Sequence, residues 1–396
     1  MRLKSLCVKD PIQLNTTSSH QLPIHATSSF AFQSIEEGVH AFENPMDIHL
    51  YARFANPTVD SVAQKIADLE VFSTDIDDAW GIMTSSGMSA ISTLIFGALS
   101  KGDKILSQAN LYGGTTELIK NFFPKYGIDV VWTDLTDMQQ VSEALEKDKD
   151  IKMIYFETPS NPALDCIDLG AIASIAKEFG VATAVDNTFC TPAIQQPLKH
   201  GIDYVVHSTT KYLNGHGNGI SGVIVGSGIE CKKAIWSAMK LVGTNCNAWD
   251  AWLINNGMKT LELRMRQHSE NALALSTFLS SHSQVASVNY LGLADHRYHE
   301  LAQSQMRYFG GMMCFEVKGG AEAGIRFMNA QTMGALAPTM GDVDTLIMHP
   351  ASMSHRNVDR DIRLAHGISD GLIRVSVGIE DAQDLIEDFD RALLTI

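Results

Sequence analysis

From about residue 61 to 225, short Val/Ile-rich runs alternate with amphipathic stretches, and this alternation constrains the fold more than any other feature. SVAQKIADLE reads as a helix and WGIMTS as a strand. SAISTLIFGAL, TELIKNFF, VSEALEK and LGAIASIAKEFG repeat the helical pattern, while DKILSQ, DVVWTD, KMIYFET, ATAVDN, DYVVHS and GVIVG repeat the strand pattern. Strands of this kind between helices predict βαβ units and an α/β fold, with a mostly parallel central sheet buried on both faces. After about residue 255 the rhythm changes. A long helical stretch, GMKTLELRMRQHSENALALSTFLSS, leads to the strand GGMMCFEVKGG, the helix AGIRFMNA, the strand LIRVSVG and a closing helix. The expected division is an irregular, polar arm over 1–60, an α/β domain over 61–254 and a smaller α+β domain over 255–396. The arm cannot bury much surface alone and is expected to drape over a neighbouring one.

Composition excludes several classes of partner. Thirty basic against 45 acidic residues give a net charge of −15, which argues against nucleic acid or an anionic membrane surface. No apolar run is long enough to span a bilayer, and MRLKSLCVKDPIQL lacks an apolar export core, so a cytoplasmic protein is expected. The six cysteines have no CxxC spacing and read as reduced thiols. The 14 histidines form no HExxH or Cys/His cluster, so no metal site is expected.

Ligands of open α/β sheets collect beyond the carboxyl ends of the strands. Three such ends carry unusual residues: Asp186 after ATAV, Lys211 after YVVHSTT, and Glu157-Thr158-Pro159-Ser160-Asn161-Pro162 after MIYFE. A strand-terminal Asp is as often a turn residue, and a loop lysine is usually solvated. The pair on consecutive strands is harder to dismiss. In TSSGMSAIS (84–92) the Gly87 and Met88 amides would face an anion at a helix N-terminus, although Ser and Thr there also simply cap helices. The run is neither GxxxxGK[ST] nor GxGxxG, which disfavours nucleotide chemistry. An anion cradle, a carboxylate, a lysine and the aromatic Tyr112 together suit pyridoxal 5′-phosphate. Its aldehyde needs a lysine for a Schiff base, its ring nitrogen an acid, and its phosphate a helix N-terminus. Arg374, inside the apolar run GLIRVSVG, is either a grip on a substrate carboxylate or half of a buried salt bridge.

LYARFANPT, SSGMSA, NLYGGT, ETPSNP, VDNTFCTP, HSTTKYLNGHGN, GMKTLELRM and HPASMSH, in this order, resemble the pyridoxal-phosphate enzymes of Cys/Met metabolism, the cystathionine γ-synthase and methionine γ-lyase group. The resemblance runs from about residue 20 to 390. It implies the aminotransferase-like fold type I and a homotetramer built from two intimate dimers. It implies Lys211 as the Schiff-base lysine, Asp186 as the ring-nitrogen partner, and Tyr112 as the stacking aromatic and acid/base. Ser86, Gly87, Met88, Ser208 and Thr210 would hold the phosphate side, joined by Tyr51 and Arg53 from the neighbouring subunit. Arg374, Asn161 and Thr339 would hold the α-carboxylate of an amino-acid substrate. GGMMCFEVKGG, IRFMNA and LIMHPASMSH look most like the methionine γ-lyases, from which Gly114 and Leu241 depart. The implied reaction is γ-elimination from a sulfur amino acid, giving 2-oxobutanoate, ammonia and a thiol. The alternatives are γ-replacement on an O-acylhomoserine, elimination from cystathionine and, further off, transamination.

Overall fold

The alternating runs form a seven-stranded sheet: β1 (Ala79–Thr84), β2 (Lys104–Ser107), β3 (Asp129–Trp132), β4 (Ile151–Glu157), β5 (Ala182–Asp186), β6 (Tyr204–His207) and β7 (Gly222–Ser227). Their order across the sheet is β1-β7-β6-β5-β4-β2-β3. In this computed structural model the described residues are 1–10, 19–160, 163–354, 356, 359–365 and 367–396. The pairs β2–β3, β2–β4, β4–β5 and β5–β6 are parallel, as expected of strands joined by helical crossovers. β7 departs from that rule. It runs antiparallel to both β6 and β1, because the chain from 208 to 221 turns back without a helix.

Period-two alternation along the strands fills two apolar layers. Ile154, Phe156, Val185, Val205 and Val223 enter one, under the helix Pro57–Glu70; Met153, Tyr155, Ala184, Val206 and Ile224 enter the other, under the helix Gly87–Ala98. Full burial of each Val, Ile, Met or Phe among them contributes about 1.5–3 kcal/mol.

A second sheet contains β8 (Val285–Asn289), β9 (Met312–Val317), β10 (Ala335–Leu336), β11 (Leu346–Met348) and β12 (Leu372–Ser376), in the order β10-β11-β12-β9-β8. Phe327 and Phe389, on the helices Gly320–Ala330 and Ala382–Leu393, pack against Phe315 of β9 to form its core.

Two expectations change. The long helical stretch after 255 is two helices, Ala248–Met258 and Leu261–Ser281. They are separated where the Arg264 guanidinium binds Gly257 O and the Tyr212 O at 2.8 Å each. Nor is the segment before residue 60 wholly irregular, since it holds the helices Leu3–Val8 and Ile35–Glu43, and Cys7 is buried.

Candidate active site

Three neighbouring parallel strands end side by side and deliver their polar residues to one place. β4 ends at Glu157, whose Cα partner on β5 is Asp186; Asp186 is in turn paired with Val206 of β6, and Lys211 follows a few residues on. A cavity of ≈ 270 Å³ opens there. Lining it are Ser86, Gly87, Met88, Tyr112, Asp186, Ser208, Thr210, Lys211, Thr339 and Arg374, ten of the residues expected from the sequence. Asn161 lies outside the described residues. Tyr51 and Arg53 do not line this cavity. They border a separate hollow with Asn245 and Trp249, and the Arg53 guanidinium donates to Lys240 O. Glu157, Thr188, Phe189, Ile220, Pro338 and Met340 also line the cavity without having been assigned a role.

Lys211 is partly buried. Its Nζ donates to Thr339 Oγ1 at 2.6 Å. Burial first, and then the Arg374 guanidinium, hold the ammonium below the ordinary lysine range. The turn that follows bends back through Gly215 at φ 74, and the Arg264 guanidinium occupies the space a Cβ there would need.

Asp186 sits at the floor. Its Oδ1 accepts from Thr188 N at 2.9 Å, and the Thr188 hydroxyl accepts from Ser208 N at 2.8 Å. Burial raises Asp186, while the Thr188 bonds and the nearby His207 favour its ionised form. His207 Nε2 in turn meets Glu70 Oε1 at 2.6 Å, with both side chains inaccessible.

On one wall, Ser86 caps the helix Gly87–Ala98. Its Oγ accepts from Ser89 N and its carbonyl from Ala90 N, so the simple capping role is present. The amides of Gly87 and Met88 are the first-turn donors outside that arrangement. Gly87 is required by packing, because a Cβ there would stand 2.7 Å from Ser208 Cβ. This helix end, with Ser208 against it, is a cradle for an anion. The Thr210 hydroxyl is already engaged with Ser221 N and O at 3.1 and 3.2 Å.

Arg374 on β12 forms the opposite wall. It is 7% exposed, and its Nη2 donates to Thr339 O at 2.9 Å. Among the described residues no carboxylate pairs with it, and the titratable neighbours it senses are Cys314, Tyr212 and Tyr112. A buried guanidinium without an acid is costly, so the salt-bridge alternative loses its partner and an incoming carboxylate becomes the better explanation. Tyr112, half-exposed above the cavity, is anchored by its own N–H donating to Glu157 Oε1 at 2.9 Å.

A sequence model of the Cys/Met metabolism PLP-dependent enzymes matches residues 4–394. The chain is 41% identical over 373 residues to an L-methionine gamma-lyase of Porphyromonas gingivalis, covering 94% of this chain and 92% of that protein. It is 37% identical over 392 residues to an O-succinylhomoserine sulfhydrylase of Pseudomonas aeruginosa, covering 99% and 95%. Its fold matches the crystal structure of cystathionine gamma synthase from Xanthomonas oryzae pv. oryzae in complex with aminoacrylate and cysteine, with a TM-score of 0.91, 36% identity and full coverage of both chains.

Proposed function

The chain belongs to the Cys/Met metabolism PLP-dependent enzymes, of fold type I, and from that premise we propose that it eliminates the γ-substituent of methionine or a related sulfur amino acid, releasing 2-oxobutanoate, ammonia and a thiol. The observation that carries this reading is the convergence of Lys211, Asp186, the Gly87 helix end and an acid-free Arg374 on one cavity.

The residues suit pyridoxal phosphate. Lys211 would provide the amine that anchors its aldehyde, the partly buried Asp186 an acid for its ring nitrogen, and Gly87, Met88 and Ser208 the cradle for its phosphate. When bound, the cofactor supplies an electron-withdrawing ring that stabilises negative charge beside the substrate nitrogen. Arg374 binds the substrate carboxylate and Thr339 supports that grip, which orients the Cα–H bond toward Lys211. Lys211 would be the base that takes the α-proton. Its depressed pKa makes the neutral base available nearer neutral pH. Tyr112 moves a proton at the departing γ-substituent. Asp186 would face the ring nitrogen, where a carboxylate favours the protonated ring.

The upper wall is made of Pro338, Thr339 and Met340, none of them acidic, which suits a small apolar γ-substituent better than a distal ammonium. A second reading, γ-replacement on an O-acylhomoserine, is favoured by Gly114. A Cβ there would stand 2.7 Å from the Tyr112 ring, so the ring packs directly against Gly114 in a position that a larger residue would displace. Assaying 2-oxobutanoate from methionine, cystathionine and O-acetylhomoserine, with and without sulfide, separates the two. Release from methionine without sulfide is expected; turnover only in its presence would reject the lyase.

Tyr51 and Arg53 lie outside their own chain's cavity, beside the exposed Trp249, which supports a shared site in a homotetramer of two dimers. Mixing inactive Arg53→Ala and Lys211→Ala chains after co-refolding should then restore about a quarter of full activity, because half the hybrid dimers' sites are intact. Mixtures as inactive as their parents would show that each chain is self-sufficient.

A further inference from the structure

Glu157 and Asp186 are Cα partners at the carboxyl ends of adjacent parallel strands, so their side chains leave the sheet on the same face. Both line the cavity, and Glu157 is only 6% exposed. Two carboxyl groups so placed cannot both ionise without a large electrostatic cost. The surroundings decide which one does. Asp186 accepts from the Thr188 amide at 2.9 Å, and the Thr188 side chain and His207 on β6 further favour its negative form. Glu157 accepts from one donor, the Tyr112 amide on the loop after β2. The other titratable groups around the pair are the buried phenol of Tyr155 on β4 and, across the cavity, Lys211 and Arg374. Neither cation is among the influences on Glu157, which is pushed well above the usual carboxyl range by burial and then by Asp186.

We propose that Glu157 is the proton-holding half of a one-charge carboxyl pair: it anchors Tyr112, leaves Asp186 as the sole anion, and takes over as the anion when Asp186 is neutralised. This rests on the reading of Asp186 as the cofactor's ring-nitrogen partner. It adds a positioning residue whose effect passes through Asp186 and Tyr112.

The test is a double-mutant cycle on the holoenzyme, with Glu157→Gln, Asp186→Asn and the pair. The first readout is the cofactor dissociation constant, followed by the visible absorbance of the bound cofactor. The second is the infrared carbonyl band of a protonated buried carboxyl. Asp186→Asn is expected to weaken cofactor binding by more than about tenfold, and the factor lost on Glu157→Gln should be at least about tenfold larger in that background than with Asp186 present. The protonated-carboxyl band should vanish in Glu157→Gln and also in Asp186→Asn, where Glu157 ionises. A purely structural Glu157 would cost the same factor in both backgrounds, and that result, or a band unaffected by Glu157→Gln, overturns the proposal. An unchanged dissociation constant in Asp186→Asn would instead overturn the site reading on which it rests. In that case the band still tells whether Glu157 holds the proton.

Discussion

Lys211→Ala is expected to lower kcat by about ten-thousandfold or more, since in the proposed function one amine serves as both covalent anchor and proton acceptor. The two roles fall together because the strand end gives the amine a single address. Nζ reaches Thr339 at 2.6 Å across the cavity, and among the lining residues no other lysine stands near enough to replace it. Borohydride reduction of the wild-type enzyme followed by peptide mapping should place the cofactor on Lys211, and in the variant on no residue. The substituted protein should still fold, because a buried, partly desolvated ammonium is being removed, not a core contact. An external small primary amine should restore part of the proton transfer. If Lys211→Ala keeps more than a tenth of the wild-type rate, the assignment fails.

Arg374→Leu is expected to reduce kcat/KM by about a hundredfold to ten-thousandfold, the loss of two charge-assisted bonds to the substrate carboxylate at about 1.5–3 kcal/mol each. Without substrate the same change should raise the melting temperature, because the guanidinium is buried in an apolar strand and, among the described residues, donates only to Thr339 O. Stability and activity should therefore move in opposite directions, which a merely structural arginine would not produce. A further sign can be read from the pH profile. Arg374 is one of two influences that hold Lys211 below its ordinary range, so its removal raises the Lys211 pKa. The acid limb of kcat, where Lys211 must lose its proton, should then move to higher pH. A variant with a lowered melting temperature and unchanged kcat/KM would return Arg374 to a structural role.

Most of the cavity was legible in the sequence because its parts announce themselves locally. A run of Val and Ile that stops at Asp186 or leads to Lys211 marks a strand end wherever the strand lies, and SSGMSA marks a helix start. What stayed hidden depends on pairing between distant segments. The adjacency of Glu157 and Asp186 is a matter of register between β4 and β5, and the contact of Glu70 with His207 joins residues 137 apart. Neither leaves a local pattern. The reversed β7 reads as an ordinary buried strand, since direction does not alter the identity of apolar residues. β10 and β11, with two and three residues, are too short to show any period. The helix Leu3–Val8 went unread for a similar reason: six residues with one buried position make little amphipathic signal.

The cavity's two sides belong to different sheets. Asp186, Ser208, Lys211 and the Gly87 helix end, assigned to the cofactor, follow or adjoin strands of the first sheet, as does Tyr112 after β2, whereas Thr339 and Arg374, assigned to the substrate, come from the loop before β11 and from β12. This separation divides heritable change in the same way. Substitutions among residues 336–341 can retune which amino acid is accepted while the coloured cofactor stays in place, so new specificities can be explored from a working intermediate at each step. A library confined to that loop should yield mostly yellow, folded proteins with altered substrate ranges, whereas one confined to residues 186–211 should yield mostly colourless ones.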